Sequence, residues 1–503
     1  MTVKMATRED WCSNQISKLQ VEDQRISTLN EIKDHFAAIP QDEAIRTANN
    51  LELSQVFDCL NNSNTEQIEL ACEVLSLCMT NLSLGDSTNR YGTPLERALN
   101  HPYSSVKVMA LKEIQRNITD ENLIIDLSKR HTLVNSIIRC IGDGDLDVAK
   151  RASTVIFSIG ATTYGIQQLL LINCLKTIHE VMAISEVVRL RINEVFINIS
   201  KTSESSMQAL QSAGLLSQML QDIDNNDLLL KMNIIELLSQ LVITKHGYVF
   251  LESQGIIKKI FSHFENEDPL SSMICEPGII KFFGHMAYWK PSEMISKYPL
   301  ALNKVFYNIQ LDDLTLVGIS LDTIGHIGEK NEGKYALEST GDKILVALKT
   351  ISEKLASYPT EIRIRALNCL ENLLRIDGFD SKVTNLIKKW YYTMGDNPME
   401  WIYKFAQNPF SELRLAGLGI LSAMSSHHWG QECFRNTPGF IEFLLDRRNE
   451  TIKECKEVKY DIVKTLSTSS VFDHSTQLRL QAFVKEGPFY VQAVTEVAIE
   501  GED

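Results

Sequence analysis

Apolar residues return along this chain at helical spacing, in a phrase that recurs about every 40 residues. Most copies open with a polar or acidic residue, continue with an aliphatic anchor, and then place apolar residues four, seven and eight positions further on. This spacing gives a helix one apolar stripe, and an acidic start suits a helix N-terminus. The copies begin at Ser104, Leu146, Glu186, Leu228, Leu314, Thr360 and Ser411.

The anchors of these copies set the period of the repeat. Successive spacings of 40 to 42 residues, typical of armadillo and HEAT repeats, separate Val106, Val148, Val188 and Leu230. Leu316 follows about two periods later, and a degenerate copy around "PGIIKFFGHMA", 277–287, fills the gap. Ile362 and Leu413 continue the series at longer spacings, which indicates longer loops.

A second phrase lies between these helices and begins with a small polar residue and a glycine. It occurs as "SAGLL", "SQGII", "STGDK" and "NTPGF", and we expect each glycine to supply a left-handed turn between two packed helices. One such repeat cannot bury its apolar stripe alone, so neighbours must stack. The pattern predicts an all-α, armadillo/HEAT-like helical-repeat solenoid, an α-α superhelix. We divide it into less regular N-terminal repeats at 1–95, the solenoid at 96–475, and a helix end with an acidic tail at 476–503.

Composition narrows the class of protein. The formal net charge of −14 would repel a phosphate backbone, so nucleic acid is not an expected partner. The N-terminus lacks the pattern of a secretory signal, and no apolar run approaches the roughly 20 residues of a membrane helix. Ten scattered cysteines are typical of reduced core residues. We expect a cytoplasmic protein, with the nucleus as a second compartment.

One stretch resembles a phosphate-binding loop. "GEKNEGKY", 328–335, has the glycines and the lysine, but Tyr335 stands where such a loop needs Ser or Thr to hold magnesium. The preceding "ISLDTIGHI" has helical rather than strand periodicity, so we interpret Gly328 as a helix terminator and "EKNEGK", 329–334, as the loop before the next helix.

Other patterns of catalytic or metal-binding residues do not favour an enzyme. HExxH and GxSxG motifs are missing from the sequence. His427 and His428 could hold a metal with Cys433 or His474, although a polar helix end is the favoured reading. The sequence therefore predicts a protein that is not an enzyme and uses no cofactor and no metal.

The recurring helix resembles the one that lines the concave surface of armadillo-like solenoids. Its polar positions, six and ten residues after each anchor, lie four apart and therefore on one helical face. They run from basic through neutral to acidic and amide-bearing, which favours a cationic partner segment in the middle repeats. Ordinary solvated faces are the alternative. This predicted ladder comprises Lys112, Arg116, Thr154, Ser158, Glu194, Asn198, Glu236, Gln240, Asp322, His326, Asn368 and Asn372.

Several phrases resemble a specific family, that of 26S proteasome non-ATPase regulatory subunit 5, from about residue 95 onward. They begin at His101, Pro277, Glu332, Asn408 and Leu478. The resemblance implies a chaperone for assembly of the proteasome regulatory-particle base. Such a chaperone grips the C-terminal domain of the first AAA ATPase subunit, favours its pairing with the second ATPase and the largest non-ATPase subunit, and leaves before the 26S particle is complete.

The resemblance implies no catalytic site, and we expect a monomer when the chain is free. The alternative is a general helical-repeat scaffold or transport adapter that binds a basic protein segment. Nuclear-import adapters use Trp and Asn four residues apart, and none of the five tryptophans here has that neighbour, which disfavours this kind of cargo.

Overall fold

The structure is a computed structural model that describes residues 8–266, 269–378, 380–448 and 450–490. Every regular element within these ranges is helical, which confirms the predicted all-α repeat class. The chain forms two compact units, unit 1 at Met1–Asn225 and unit 2 at Asn226–Asp503. The segments predicted at 1–95, 96–475 and 476–503 remain a prediction, and the acidic end of the last one, from residue 491, lies outside the described residues.

Unit 1 contains fifteen α-helices among its described residues, together with short 3-10 turns at Glu22–Gln24 and Asp222–Asp224. The helices are α1 Arg8–Leu19, α2 Arg25–Ala38, α3 Gln41–Asn50, α4 Ser54–Asp58, α5 Thr65–Thr80, α6 Asp86–Leu99, α7 Ser104–Arg116, α8 Glu121–Ser128, α9 His131–Ile141, α10 Leu146–Gly160, α11 Thr163–Leu169, α12 Ile172–Met182, α13 Glu186–Thr202, α14 Glu204–Ser212 and α15 Ser217–Gln221.

Unit 2 contains seventeen α-helices in its described part. They are α16 Leu228–Leu241, α17 Lys245–Ser253, α18 Ile256–Asn266, α19 Pro269–Trp289, α20 Pro291–Lys297, α21 Pro299–Asn308, α22 Leu314–Ile327, α23 Asn331–Glu338, α24 Asp342–Lys354, α25 Thr360–Leu374, α26 Ser381–Thr393, α27 Pro398–Ala406, α28 Ser411–Ser425, α29 His428–Asn436, α30 Phe440–Leu445, α31 Lys453–Leu466 and α32 His474–Glu486.

The recurring phrase forms one row of stacked helices in each unit. In unit 1, α5, α7, α10 and α13 pack successively, and in unit 2 the row runs through α16, α19, α22, α25, α28 and α31. The degenerate copy at 277–287 is α19, which fills its place in the row. The predicted anchors are buried except Leu316, which is half-buried while its neighbour Val317 points inward.

In four of the recurring helices, the side chain of the residue just before the predicted copy caps the helix. The carboxylates of Asp145, Asp227 and Asp313 each accept two backbone N–H groups in the first turn of α10, α16 and α22. The Ser185 hydroxyl does the same for one N–H group in α13. These bonds satisfy donors that a helix start otherwise leaves unpaired, typically worth about 1 kcal/mol each.

The glycine of the second phrase adopts the predicted left-handed turn in all four copies. The φ angles of Gly214, Gly255, Gly341 and Gly439 lie between 68° and 77°. A side chain in this region would place its Cβ against the following carbonyl oxygen, so glycine is favoured.

A third glycine position explains the stretch that resembles a phosphate loop. Gly165, Gly247, Gly333 and Gly430 are each the third residue of the short helix that follows a row helix. A Cβ on any of them would lie 1.7 to 2.2 Å from a carbonyl oxygen at the end of that row helix. Glycine is therefore needed because two backbones cross at this point. Gly333 serves this crossing between α22 and α23.

Lys334, the lysine of the same stretch, is fully buried rather than presented to a nucleotide. Its ammonium donates to the carbonyl oxygens of Gly328 and Asn372, the latter at 3.0 Å. These carbonyls belong to the C-terminal ends of α22 and α25, where the helix dipole favours a cation. Lys334 thus joins the ends of two successive row helices. Gly328 ends α22 as expected, but the expected loop is shorter, because α23 begins directly after Lys330 and residues 331–334 form its first turn.

None of the helices within the described ranges combines the length and the apolar character that crossing a bilayer requires.

Candidate functional site

The predicted ladder lies on the outward side of the row helices, because the apolar stripe of each helix faces the neighbouring repeats. None of its twelve residues is buried. The first member of each pair is exposed in five of the six pairs, and the second member is half-buried. Whether a partner contacts these residues remains a prediction, but their side chains are accessible to one.

In unit 2, four ladder residues meet at one cavity. It has a volume of about 330 Å³ and lies across α19, α22 and α25. Its lining includes Asp322, His326, Asn368 and Asn372. Ladder residues of two successive repeats, found by counting from the anchors, therefore lie at one cavity.

Two polar residues of α19 also line this cavity, and the register count missed them. Lys281 and His285 occupy α19, four residues apart, as the other pairs do. The signal was present in "PGIIKFFGHMA", but that degenerate copy has no aliphatic anchor from which to count. Cys275, six residues before Lys281, takes the anchor's place and is buried.

Close packing of the row helices gives the cavity its walls. A Cβ at Gly284 would lie 3.1 Å from Thr323, and one at Gly325 would lie 3.0 Å from the Cα of Cys369. Both glycines also line the cavity. Because they carry no side chain, α19, α22 and α25 approach closely and the polar residues stand above a small apolar floor.

Ion pairs between repeats partly neutralise the acidic residues of the ladder. The Lys281 ammonium donates to the Glu236 carboxylate, and Arg365 lies 3.4 Å from Asp322. Burial raises the pKa of Asp322, while Arg365 acts in the opposite direction. The surface here presents paired charges rather than a purely acidic face, so a cationic partner would have to compete with Lys281 and Arg365.

The histidines of the cavity favour the neutral form. Burial, followed by the nearby ring of His326, lowers the pKa of His285 to about 4. The two ring centroids are 5.1 Å apart. His326 also stacks on Tyr288 at 4.6 Å, and burial lowers its pKa as well. At neutral pH these rings therefore offer hydrogen bonds and flat apolar surface rather than positive charge.

In unit 1, three other ladder residues line a groove of about 450 Å³ between α10 and α13. Thr154, Glu194 and Asn198 stand there with Lys150 and Arg191. The Arg191 guanidinium donates to the carbonyl oxygens of Ile141 and Asp143, so it is anchored to the previous repeat. Phe157 and Val195 supply apolar lining. The groove combines charge, amide and apolar surface.

Arg116, at the basic end of the ladder, has structural contacts of its own. Its guanidinium pairs with Glu113 at 2.7 Å and donates to the carbonyl oxygens of Met79 and Leu82. These carbonyls lie at the end of α5, so Arg116 ties α5 to α7. Sequence register alone does not reveal such contacts, because they depend on how neighbouring helices pack.

The chain also matches a known protein family. A family model described as "Proteasome non-ATPase 26S subunit" matches residues 8–503. The chain belongs to this family. The resemblance noted in the sequence is thereby confirmed, and the match also covers the N-terminal repeats.

Curated relatives of this proteasome non-ATPase 26S subunit family cover nearly the whole chain. The human 26S proteasome non-ATPase regulatory subunit 5 is 30% identical over 498 residues, which are 97% of this chain and 98% of that protein. The mouse protein of the same name is 31% identical, over 95% of this chain and 96% of its own. The Drosophila melanogaster protein is 25% identical and covers 99% of each chain.

Two solved structures also match this family member. The crystal structure of an engineered protein has a TM-score of 0.40 and 13% identity, covering 87% of this chain and 98% of its own. The designed armadillo repeat protein YIII(Dq)4CqI has a TM-score of 0.33 and 13% identity, covering 54% and 98%.

The side chains that this proteasome non-ATPase 26S subunit family member exposes at the cavity and the groove are of kinds suited to recognition. Across the described ranges no three His, Cys, Asp or Glu side chains gather as a metal site would require. His427 bonds the carbonyl of Leu374 and stacks on Trp429, so it serves packing at the start of α29. The cavity and the groove expose amides, ion pairs and apolar patches, which suit contact with a protein surface.

Proposed function

We propose that this chain is a non-enzymatic chaperone for assembly of the proteasome regulatory-particle base. It binds the C-terminal domain of an AAA ATPase subunit through the ladder of its row helices and is released before the mature 26S particle forms. The second ATPase and the largest non-ATPase subunit join the same module. The observation that carries the proposal is membership of the proteasome non-ATPase 26S subunit family over residues 8–503.

The geometry of the ladder supports binding of a folded domain. Its residues are accessible and recur on successive helices, and they frame the cavity in unit 2 and the groove in unit 1. Stacked row helices can bury on the order of 1,000 to 2,000 Å² against a small domain, enough for a specific complex. Paired charges in such an interface favour specificity over great tightness, which suits a partner that must be released.

Co-purification tests the identity of the partner. Tagged chain is expected to recover free ATPase subunits and small assembly modules, with the first ATPase subunit in stoichiometric amount. Intact, active 26S particles should lack it. Recovery of the chain in stoichiometric amount with the active holoenzyme would contradict the proposal. Recovery of an unrelated basic protein, without ATPase subunits, would favour a general scaffold or transport adapter instead.

Charge reversal tests the ladder itself. Glu194→Lys and Glu236→Lys place positive charge in the unit 1 groove and beside Lys281 in unit 2. We expect each to weaken binding of the purified ATPase C-terminal domain about tenfold in calorimetry, because the charge of a ladder residue that faces the partner is reversed. Glu180→Lys on α12 is the matched control, since Glu180 is half exposed and lies outside the ladder. If Glu194→Lys and Glu236→Lys bind as the wild type does, the ladder is not the contact surface.

The proposal also includes location and assembly state. We expect the chain in the cytoplasm and the nucleus, where the regulatory particle would be assembled, and as a monomer when unbound. Fluorescence imaging of tagged chain checks the first expectation, and sedimentation of the purified chain checks the second.

A further inference from the structure

Three neighbouring helices of unit 2 are basic although the chain as a whole is acidic. α24 packs between α21 and α26, and these two also pack on α22 and α25 of the row. They contain seven lysines and only two carboxylates, whereas acidic residues outnumber basic ones by 64 to 50 in the whole chain. A local excess of one sign on adjacent elements creates a field that an oppositely charged partner can use.

Four of these lysines carry charge that neighbouring carboxylates do little to cancel. Lys343 donates to the side-chain oxygen of Asn303 at 2.7 Å, which joins α24 to α21. Lys349 has only a long contact of 3.8 Å to Glu353, and both side chains are largely exposed. Lys382 and Lys388 are exposed, and neither forms an ion pair with a carboxylate of the described residues, although the positive charge of Lys382 helps to lower the pKa of the nearby Asp380. The positive charge on this face is therefore available to a partner.

Large apolar side chains lie exposed among these lysines. Leu300 and Tyr307 are 50% and 57% exposed and stand seven residues apart, on one face of α21. Val346 on α24 is 48% exposed and Tyr392 on α26 is 54% exposed. Val346 shares its helix face with Lys343, and Tyr392 shares its face with Lys388. Each of the three helices thus presents a large apolar group on its outward side, which marks interaction surfaces when such groups share one face.

We propose that this basic-apolar face, formed by α21, α24 and α26, is a docking surface for an acidic protein segment that carries aliphatic or aromatic side chains. Lysines would pair with the carboxylates of the segment, while Leu300, Tyr307, Val346 and Tyr392 would cover its apolar residues. This surface goes beyond the proposed chaperone site, since it lies on a different row of helices from the ladder.

An anionic membrane is the other class of ligand that lysines and apolar residues can attract. The face is less suited to it, because Asp342 and Glu353 are exposed on α24 beside Lys343 and Lys349. A uniformly negative bilayer would meet these carboxylates directly, whereas a peptide can place neutral or cationic residues opposite them. The mixture of signs therefore favours a peptide.

The test measures binding of a fluorescent peptide by anisotropy with the full chain. The probe contains four repeats of Glu-Leu-Asp-Phe, and the comparison peptide replaces the acids by Lys. We expect micromolar affinity for the acidic probe, and we expect it to weaken with added salt because exposed charges are screened. The triple variant Lys343→Glu, Lys349→Glu and Lys388→Glu should weaken binding about tenfold or more. The double variant Leu300→Ser and Val346→Ser should weaken it about threefold or more.

Controls separate this face from general electrostatics and from the ladder. Lys176→Glu, Lys404→Glu and Lys453→Glu make the same change in net charge at exposed lysines elsewhere, and should leave binding within about twofold. Glu194→Lys should also leave it unchanged, so failure here and failure of the chaperone proposal are distinguishable. The proposal is overturned by absence of probe binding, by equal loss in the two triple variants, or by retention on phosphatidylserine vesicles without binding of the peptide.

Discussion

The crossing of α16 and α17 makes a quantitative prediction for Gly247→Ala. The new Cβ would lie 2.1 Å from the carbonyl oxygen of Leu241 and 2.8 Å from the Thr244 hydroxyl. A carbon and a carbonyl oxygen ordinarily stay about 3.3 Å apart or more, so the start of α17 must shift by about 1 Å. That overpacking costs about 1–3 kcal/mol. The shift also strains the 3.1 Å cap bond from the Gly247 N–H to Thr244, worth about 1 kcal/mol.

The better helix propensity of alanine offsets about 1 kcal/mol of this cost, so the free energy of unfolding should fall by about 2 kcal/mol in total. For a unit as large as residues 226–503, such a loss lowers the melting temperature by about 4 °C. Circular dichroism during heating measures it, and urea unfolding checks that the slope of the transition is unchanged.

Two other glycines calibrate this prediction. A Cβ on Gly255 meets no atom within 4 Å, but its φ of 68° is left-handed, so Gly255→Ala should cost about 1 kcal/mol. Gly144 has open space and ordinary φ, so Gly144→Ala should change stability by less than about 0.5 kcal/mol. If Gly247→Ala has the same melting temperature as Gly144→Ala, or if Gly255→Ala lowers the melting temperature most, the crossing of α16 and α17 does not require glycine.

Three further changes have defined outcomes. Burial lowers the pKa of Lys334 to about 8, so the unfolded chain holds this proton more tightly than the folded chain. The free energy of unfolding should therefore rise between about pH 8 and 10.5. Lys334→Met should remove that rise in thermal melts across this range, and an unchanged dependence of the unfolding free energy on pH would contradict the reasoning. His285, with its pKa lowered to about 4, contributes stability above pH 6.5 that is lost as the pH falls toward 4; His285→Phe should flatten acid unfolding there, and an acid limb identical to wild type would speak against it. Arg414 pairs with buried Glu450 at 2.9 Å. Arg414→Met should cost about 3 kcal/mol in urea unfolding, because the buried carboxylate loses this cation and keeps the N–H groups of Thr451 and Ile452. Adding Glu450→Gln should partly restore stability; a loss that Glu450→Gln does not relieve would argue for another cause.

The features that repeat along the chain were predictable from the sequence. Helix periodicity and the left-handed glycines depend on a few neighbouring residues, so local patterns are enough to find them. Each repeat also places its row helix in the same environment. The accessible side of the ladder could therefore be derived by counting from an anchor.

Contacts between repeats were not predictable in the same way. Glu236 meets Lys281 across 45 positions in sequence, and Lys334 reaches Asn372 on the next row helix. Both depend on which neighbouring helix faces which, a property set by packing rather than by period. Cavity residue His285 escaped the count for a related reason, because its repeat replaces the aliphatic anchor by Cys275.

Lys334 has one consequence for how unit 2 could be studied in solution. Its amine is sealed between the ends of α22 and α25, so an acylating reagent can reach it only when those ends part. The rate at which this single amine is labelled, relative to exposed lysines such as Lys176, would then report how often adjacent repeats separate locally. Mass spectrometry of one peptide could thus read the local opening free energy without unfolding the protein.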